Sequence, residues 1–359
     1  MSDVEQLLVD LGARSYRIVV GPDLLARAGE LFDTPKAEAI ALISDAAVAG
    51  LHGESARAGL AATGLRVEAF ALEPGESSKS VAVLESLWRW LASSGFHRAD
   101  VVAALGGGVV GDVGGFAAAT YNRGLALVQM PTTLLAQVDS AIGGKTAIDL
   151  PEGKNLAGAF HQPIVVVCDT TTLQTLPPAA FKTGMAEVIK HALISTGTLA
   201  DRLAGHSEAI VARNATALAT LVREAAAVKV RVVQQDETEH GARASLNYGH
   251  TLAHALEALS NYAGPTHGEA VAIGMMFAAN LATELGYPDR AGVHRTLLET
   301  YDLPTTGAGF EYEDVARAWL RDKKYEAGMR FVVLEDLGRP VLVNDVPESA
   351  LRKAYEAVR

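Results

Sequence analysis

The sequence predicts an α/β domain with a parallel sheet followed by a mainly α-helical domain, and three observations carry that expectation. With 359 residues, 49% hydrophobic and 20% charged, the chain can bury a large core and exceeds the usual size of one compact domain. Up to about residue 175, short β-rich runs alternate with helix-like stretches, which is the pattern of a parallel α/β sheet. Beyond TLPPAAF the pattern changes to long alanine- and leucine-rich segments with helical spacing.

YRIVV, IALIS and RVEAFAL read as the first strands, because apolar and β-branched residues run together between polar breaks. VAVLESLWRWLASSG is helix-like and separates them from VVAALGG, after which LALVQM and IVVVCD complete the sheet. Pro177 and Pro178 mark the change of architecture, since proline cannot continue a preceding helix and biases its neighbour toward extended geometry. The expected domains are therefore 1–176 and 177–359. ALATLVREAAAVKVRVVQ and EAVAIGMMFAANLATELG are helices of the second domain, and MRFVVLEDLGRPVLV, two apolar runs around a glycine-containing turn, predicts a late hairpin.

A net charge of -11 argues against a general nucleic-acid or anionic-membrane surface, so an acidic ligand must be held by a local cluster of cations. Cys168 is the only cysteine; within IVVVC it reads as a buried strand thiol, and the chain suits a reducing cytoplasm. MSDVEQLLVDLG lacks the basic and apolar regions of a signal peptide, and AVAIGMMFAANLA is too short to span a bilayer. A soluble, cytoplasmic protein is expected.

ALGGGVVGDVGGFAA follows an apolar strand and opens an apolar helix, with Gly106, Gly108 and Gly111 at G-x-G-x-x-G spacing. Glycines there let backbone amides approach a pyrophosphate at a helix N-terminus. The ordinary fingerprint lies in the first βαβ unit and has an acidic residue about 20 positions on; neither condition is met. Asp45, at the end of IALIS, is the better ribose partner and favours NAD over NADP, the alternative being a tight turn with Asp45 as a helix cap.

Three candidate metal ligands stand in the second half: Glu187 in GMAEVIKH, His250 in NYGHT and His267 in THGEAVA. Two histidines and a glutamate leave zinc an open position, the arrangement expected where a metal polarises a substrate oxygen. No HExxH is present, which argues against a zincin protease. His254 follows His250 by four residues and Lys190 follows Glu187 by three, so each pair shares a helix face. His52, His97, His206, His240 and His294 read as surface or satisfied core residues. Lys145, Lys154 and Asn155 sit in a glycine-rich connection, Lys229 in an otherwise apolar helix, and Arg243 four residues before Asn247. Such cations with an amide and an imidazole describe a pocket for phosphate and carboxylate groups.

With these residues assembled, the chain resembles the 3-dehydroquinate synthases, members of the sugar phosphate cyclases, along almost its whole length. The resemblance is carried by PGESSKS, GGGVVGD, YNRG, PTTLLAQVDSAIGGK, GKNLAGAFHQP, LQTLP, GMAEVIK, DETEHGAR, LNYGHTLAHALE, HGEAVAIGM and DKKYEAGMRFVVL. It implies an NAD-binding α/β domain, a helical metal domain and catalysis in the cleft between them. Glu187, His250 and His267 are then the ligands of Zn2+ or Co2+. Glu76, Lys79, Gly108, Val109, Gly111, Asp112, Thr132, Thr133, Lys145, Lys154, Thr172 and Thr175 join Asp45 as NAD contacts. Lys145, Lys190, Arg243 and His254 are the implied catalytic set. Asp139, Asn155, Lys229, Asn247 and one of Lys323 and Lys324, taken as Lys324, are implied to contact substrate, and Arg123 to reach phosphate across a homodimer interface.

The implied reaction converts 3-deoxy-arabino-heptulosonate 7-phosphate into 3-dehydroquinate and phosphate by oxidation at C5, β-elimination, return of the hydride, ring opening and an intramolecular aldol. NAD is recycled. Ala141 and Asp149 depart from the serine and asparagine of many relatives, which bears on fine substrate contacts. Rival readings are a cyclase for an aminated analogue of this substrate, a metal- and NAD-dependent polyol dehydrogenase, and a non-catalytic ligand sensor.

Overall fold

The computed structural model describes residues 4–239, 241–261, 263–321 and 329–359. It divides into two compact units. The first comprises Met1–Pro177 with Arg213–Thr238, and the second Pro178–Ala212 with Glu239–Arg359. The first division falls between Pro177 and Pro178, one residue beyond the expected 176/177, and the helix Ala215–Gln235 returns to the first unit. That is a correction to a single crossing at 176/177. Its cause is visible in the packing, because this helix lies against the strand Glu5–Val9 and the Ala136–Ser140 turn. An apolar helical pattern records that a face is buried and says nothing about which domain buries it.

The first unit is built on a seven-stranded sheet. Its strands are β1 (Glu5–Val9), β2 (Tyr16–Gly21), β3 (Ala39–Asp45), β4 (Arg66–Leu72), β5 (Val101–Gly106), β6 (Ala126–Pro131) and β9 (Val165–Asp169). The order is β1-β2-β9-β6-β5-β3-β4, parallel except for β1 on β2. All six strands expected from sequence are present. The edge strand β1 is the addition; EQLLV has two of its five residues exposed and so lacks the continuous apolar run of a strand covered on both faces.

Alternation along the central strands feeds two apolar layers. Ala39, Ala41 and Ile43 of β3 face a core with Leu84, Leu87, Val110 and Val113, whereas Ile40 and Leu42 face another with Leu25, Leu60 and Val128. The chain runs outward from β3 to β4 and returns to β5 on the other side of β3. Where strand order reverses in this way, the carboxyl ends of the two strands flank a crevice suited to a ligand. Asp45 ends β3, and the glycine loop follows β5.

A second difference lies between β6 and β9. The segment read as a glycine-rich connection folds as an antiparallel hairpin, β7 (Lys145–Leu150) and β8 (Gly153–Phe160). Its glycines concealed the pairing: a Cβ on Gly158 would come 2.1 Å from the Thr146 carbonyl oxygen, so the close strand contact itself requires glycine.

The second unit is mainly helical, with one hairpin, β10 (Phe331–Asp336) and β11 (Arg339–Val343), at the place the sequence predicts. Its helices include Pro178–Ile194, His250–Leu259 and His267–Glu284. Pro178 opens the first of these at a position where no amide donor is needed. Two glycines set the packing around the last. A Cβ on Gly274 would lie 1.9 Å from the Gly249 carbonyl oxygen, and one on Gly268 would lie 2.4 Å from Thr183 Cα. Backbones therefore approach at both places more closely than any side chain permits. Among the described residues no helix is long and apolar enough to cross a membrane.

Candidate metal centre and anion-binding loop

In the helical unit, Glu187 lies mid-helix in Pro178–Ile194, while His250 and His267 are each the first residue of a helix. Gly249 precedes His250 at φ 80, a left-handed turn with Met275 and Val271 too close for a side chain. Thr266 and Glu269 form a capping box that fixes the start of the helix carrying His267. The close approach at Gly268 brings that start against Thr183, one turn before Glu187.

The three side chains converge. Nε2 of His250 and Nε2 of His267 stand 3.6 and 3.5 Å from Oε1 of Glu187, and one donor atom from each residue lies within 4.8 Å of the others. Ligands at zinc-like distances of about 2 Å in a tetrahedron stand roughly 3.3 Å apart, so these spacings fit one shared ion. Glu187 is fully buried, and neither of its oxygens has a hydrogen bond of ordinary geometry among the described residues. Each imidazole is anchored on the far side: Nδ1 of His250 lies 3.1 Å from the Tyr248 carbonyl and Nδ1 of His267 3.1 Å from Glu257. Donor type, spacing and orientation fit a divalent cation.

The charge states of Glu187 and His250 agree with that reading. Burial pushes the Glu187 carboxyl up, but the ion-paired Lys190 ammonium and the two imidazoles outweigh it and hold the group well below the usual carboxylate range. Burial, with Lys190 nearby, keeps His250 well below its ordinary value and hence neutral, the form that ligates. Burial lowers His267 as well, but the adjoining Glu187 and Glu257 carboxylates win and raise it to about 10, so without a cation its ring carries a proton that a metal would displace. The His254 ring lies 5.6 Å from that of His250, and Arg243 is buried in the Ala242–Asn247 turn with Asn247 at its end.

In the first unit, the helix Gly108–Thr120 starts directly after β5, and its N-cap, Gly107, provides no side-chain cap. The space is confined. A Cβ on Gly107 would stand 3.1 Å from Thr133 Cγ2, one on Gly108 3.2 Å from Ser140 Oγ, and one on Gly111 3.0 Å from Gln129 Oε1. Open backbone amides at such a helix end suit a pyrophosphate, so the loop fits a dinucleotide. Asp45 does cap the following turn, accepting from Val48 N at 2.9 Å through Oδ1. The cap and the ribose contact are compatible, because a carboxylate has two oxygens.

Several predicted cofactor residues gather around Lys79. Its buried ammonium pairs with Asp112 at 2.7 Å and also contacts Asn155, while Glu76 lies 3.9 Å from it and 3.6 Å from Lys154. Burial pushes the Asp112 carboxyl up against the effect of Lys79. Asn155, expected with the substrate set, stands beside Lys79, a residue expected to contact NAD, and Asp149 accepts from its backbone N–H at 2.7 Å. Thr132 is buried beside Gly106, donating its N–H to that carbonyl at 2.9 Å, and Val109 lies in the first turn of the glycine-opened helix. Thr172 is buried with its hydroxyl committed to the Asp169 carbonyl and the Gln137 amide, whereas Thr175 is exposed and contacts His52 at 2.8 Å. Lys229 forms an ion pair with Asp139. Arg123 and Lys145 are exposed, the former at φ 64 in the turn after the glycine-opened helix. Lys323, Lys324 and His240 lie outside the described residues.

Sequence reasoning missed Glu257, although it falls at i+7 from His250 on the face already marked by His254. It also missed Gln129, which donates to the Gly111 carbonyl at 3.1 Å and supports the glycine helix from β6. A lone glutamine in an apolar strand carries no motif. Cys168 is buried with its thiol pushed up by desolvation, as its apolar run implies, and His294 is a satisfied core residue between Tyr248 and the Arg290 carbonyl.

A parallel-sheet unit with a glycine-opened helix, carried in one chain with a helical unit bearing a two-histidine, one-carboxylate cluster, resembles in fold the solved sugar phosphate cyclases that hold NAD+ and a divalent metal. A solved 2-deoxy-scyllo-inosose synthase, in complex with carbaglucose-6-phosphate, NAD+ and Co2+, superposes with a TM-score of 0.88 at 26% identity over 99% of this chain and 100% of that one. The 2-epi-5-epi-valiolone synthase of Streptomyces hygroscopicus subsp. jinggangensis 5008, with NAD+ and Zn2+ bound, gives 0.86 at 28% identity over 96% of each. The chain belongs to the 3-dehydroquinate synthase family, whose N-terminal and C-terminal sequence profiles match residues 69–183 and 184–325. The 3-dehydroquinate synthase of Pelotomaculum thermopropionicum is 44% identical, covering 99% of this chain and 97% of that protein.

Proposed function

We propose that the protein converts 3-deoxy-arabino-heptulosonate 7-phosphate into 3-dehydroquinate and inorganic phosphate, a phosphate-eliminating cyclisation in the shikimate pathway toward aromatic amino acids, using recycled NAD and a zinc ion. The observation that carries this reading is the convergence of Glu187, His250 and His267, with Lys190 beside them, in a chain of this family. We assign the protein a cytoplasmic location and a homodimeric state with Arg123 at the interface, and no nucleic-acid or membrane partner, in line with its net charge of -11.

When bound, NAD supplies a reversible hydride acceptor and the metal supplies Lewis acidity toward a substrate hydroxyl. Within the helical unit, Glu187, His250 and His267 hold the ion. Lys190 keeps Glu187 ionised and favours negative charge developing on a substrate oxygen. His254 takes up and returns protons of the reacting hydroxyls at a ring nitrogen, and Arg243, with Asn247, recognises the substrate carboxylate through its planar donors. Within the first unit, the Gly108–Gly111 amides, Thr132 and Thr133 receive the pyrophosphate, Asp45 the ribose, and the Glu76, Lys79, Asp112, Lys154 and Asn155 cluster orders the hairpin beside them. Lys145, Asp139 and Lys229 are assigned to substrate recognition.

An assay for inorganic phosphate with the heptulosonate phosphate, zinc and NAD, followed by mass analysis of the product, tests the reading. Phosphate release with formation of 3-dehydroquinate is expected. Accumulating NADH with simple polyols and no phosphate release would instead establish the dehydrogenase.

A further inference from the structure

The stripe of side chains that carries His250 extends one turn further than the metal centre uses. His250, His254 and Glu257 fall at i, i+4 and i+7 of the helix His250–Leu259, and so share a face. Oε1 of Glu257 stands 3.1 Å from Nδ1 of His267, a residue of the following helix, while Nε2 of that same ring lies 3.5 Å from Glu187.

We propose that Glu257 is a positioning residue of the metal centre: by accepting the Nδ1 proton of His267 it fixes the tautomer and ring orientation that leave the Nε2 lone pair to the ion. The two histidines need different support. His250 is well enclosed, with 13% of its side chain exposed, and a neutral backbone carbonyl orients it. His267 has 33% of its side chain exposed and opens its helix, so its ring lies at the edge of the site. A carboxylate with only 14% of its side chain exposed holds that ring more firmly than a carbonyl and makes the imidazole a better electron donor. The closing of the centre thus couples two helices, with Glu257 on one and the ligand on the next.

This inference rests on the metal-centre reading above, and its test separates the two. Zinc affinity of the full-length protein is measured by competition with a chromophoric chelator, together with the visible spectrum of the cobalt-loaded protein and NAD affinity as a control. Glu257→Ala is expected to weaken zinc by about 10- to 100-fold and to shift the cobalt bands, with NAD affinity unchanged; Glu257→Gln, which keeps an acceptor, recovers most of the loss. Should the alanine variant fail to fold, Glu257→Met, which fills the volume without an acceptor, is read in the same way. An unchanged zinc affinity and cobalt spectrum in the variant lacking the acceptor overturns the role of Glu257 while leaving the centre intact. A wild-type protein that binds no zinc overturns the functional reading itself.

Discussion

The two units carry their chemistry in opposite ways. The candidate centre of the helical unit is built from side chains, Glu187 buried and His250 and His267 partly so, each tied to a partner that fixes its charge or orientation. The anion site proposed in the sheet unit would be formed chiefly by what is missing, glycines where any Cβ would crowd Thr133, Ser140 or Gln129. A side-chain site declares itself through ligand type and pKa perturbation. A backbone site declares itself only through shape and helix position.

The sharpest attempt to break this contrast removes one metal ligand. Glu187→Gln keeps the shape but loses the charge, and is expected to lower phosphate release by about a thousand-fold, or roughly 4 kcal/mol of transition-state stabilisation, with metal content by atomic absorption falling in parallel and NAD binding retained. A variant with full metal content and full rate would mean that the carboxylate is no ligand.

The contrast is not absolute, since glycine also matters in the helical unit. Gly274→Ala places a methyl 1.9 Å from the Gly249 carbonyl oxygen, so the two helices must part. A loss of about 3 kcal/mol in urea unfolding, with weakened zinc binding, is expected; unchanged stability would show that the close packing is dispensable.

A third test uses pH. His294 is pushed down to about 4, chiefly by burial, and its neutral ring accepts from the Tyr248 hydroxyl at 2.7 Å while Nδ1 donates to the Arg290 carbonyl at 2.8 Å. The unfolded chain, with an ordinary histidine near 6.5, binds the extra proton between about pH 4 and 6.5. Stability is therefore complete above that window and is lost as pH falls through it, by about 2 kcal/mol from pH 7 to pH 5. Urea midpoints at the two pH values measure the change, and His294→Asn should flatten this contribution. An equal acid response in wild type and variant would assign the loss to other groups.

The smallest effect addresses the sheet unit. Asp45→Asn preserves an oxygen to cap Val48 but removes the charge offered to a ribose hydroxyl. NAD should bind about five- to tenfold more weakly, or roughly 1 kcal/mol, without change in zinc affinity. Unaltered NAD binding would leave Asp45 as a helix cap alone.

Legibility in the sequence followed the same division. Periodicity located the six parallel strands, the helices Ala215–Gln235 and His267–Glu284, and the late hairpin, because each depends on contacts within a short window. It failed at β1, which lacks a continuous apolar run, at the β7–β8 hairpin, whose glycines concealed it, and at the destination of the helix Ala215–Gln235, which depends on distant partners. The i+4 spacing of His250 and His254 was readable, yet Glu257 acquired meaning only when His267 arrived from the next helix.

By itself, then, the amino-acid order determined local periodicity, the residue types able to bind metal and anions, and the resemblance that names a family. Tertiary structure alone decided that three candidate ligands separated by as many as eighty residues converge within the helical unit, that Asn155 stands with Lys79, and that Lys229 belongs to the sheet unit. The physical reason is range: helix and strand propensities act over a few neighbours, whereas convergence of distant side chains is set by how buried faces pack.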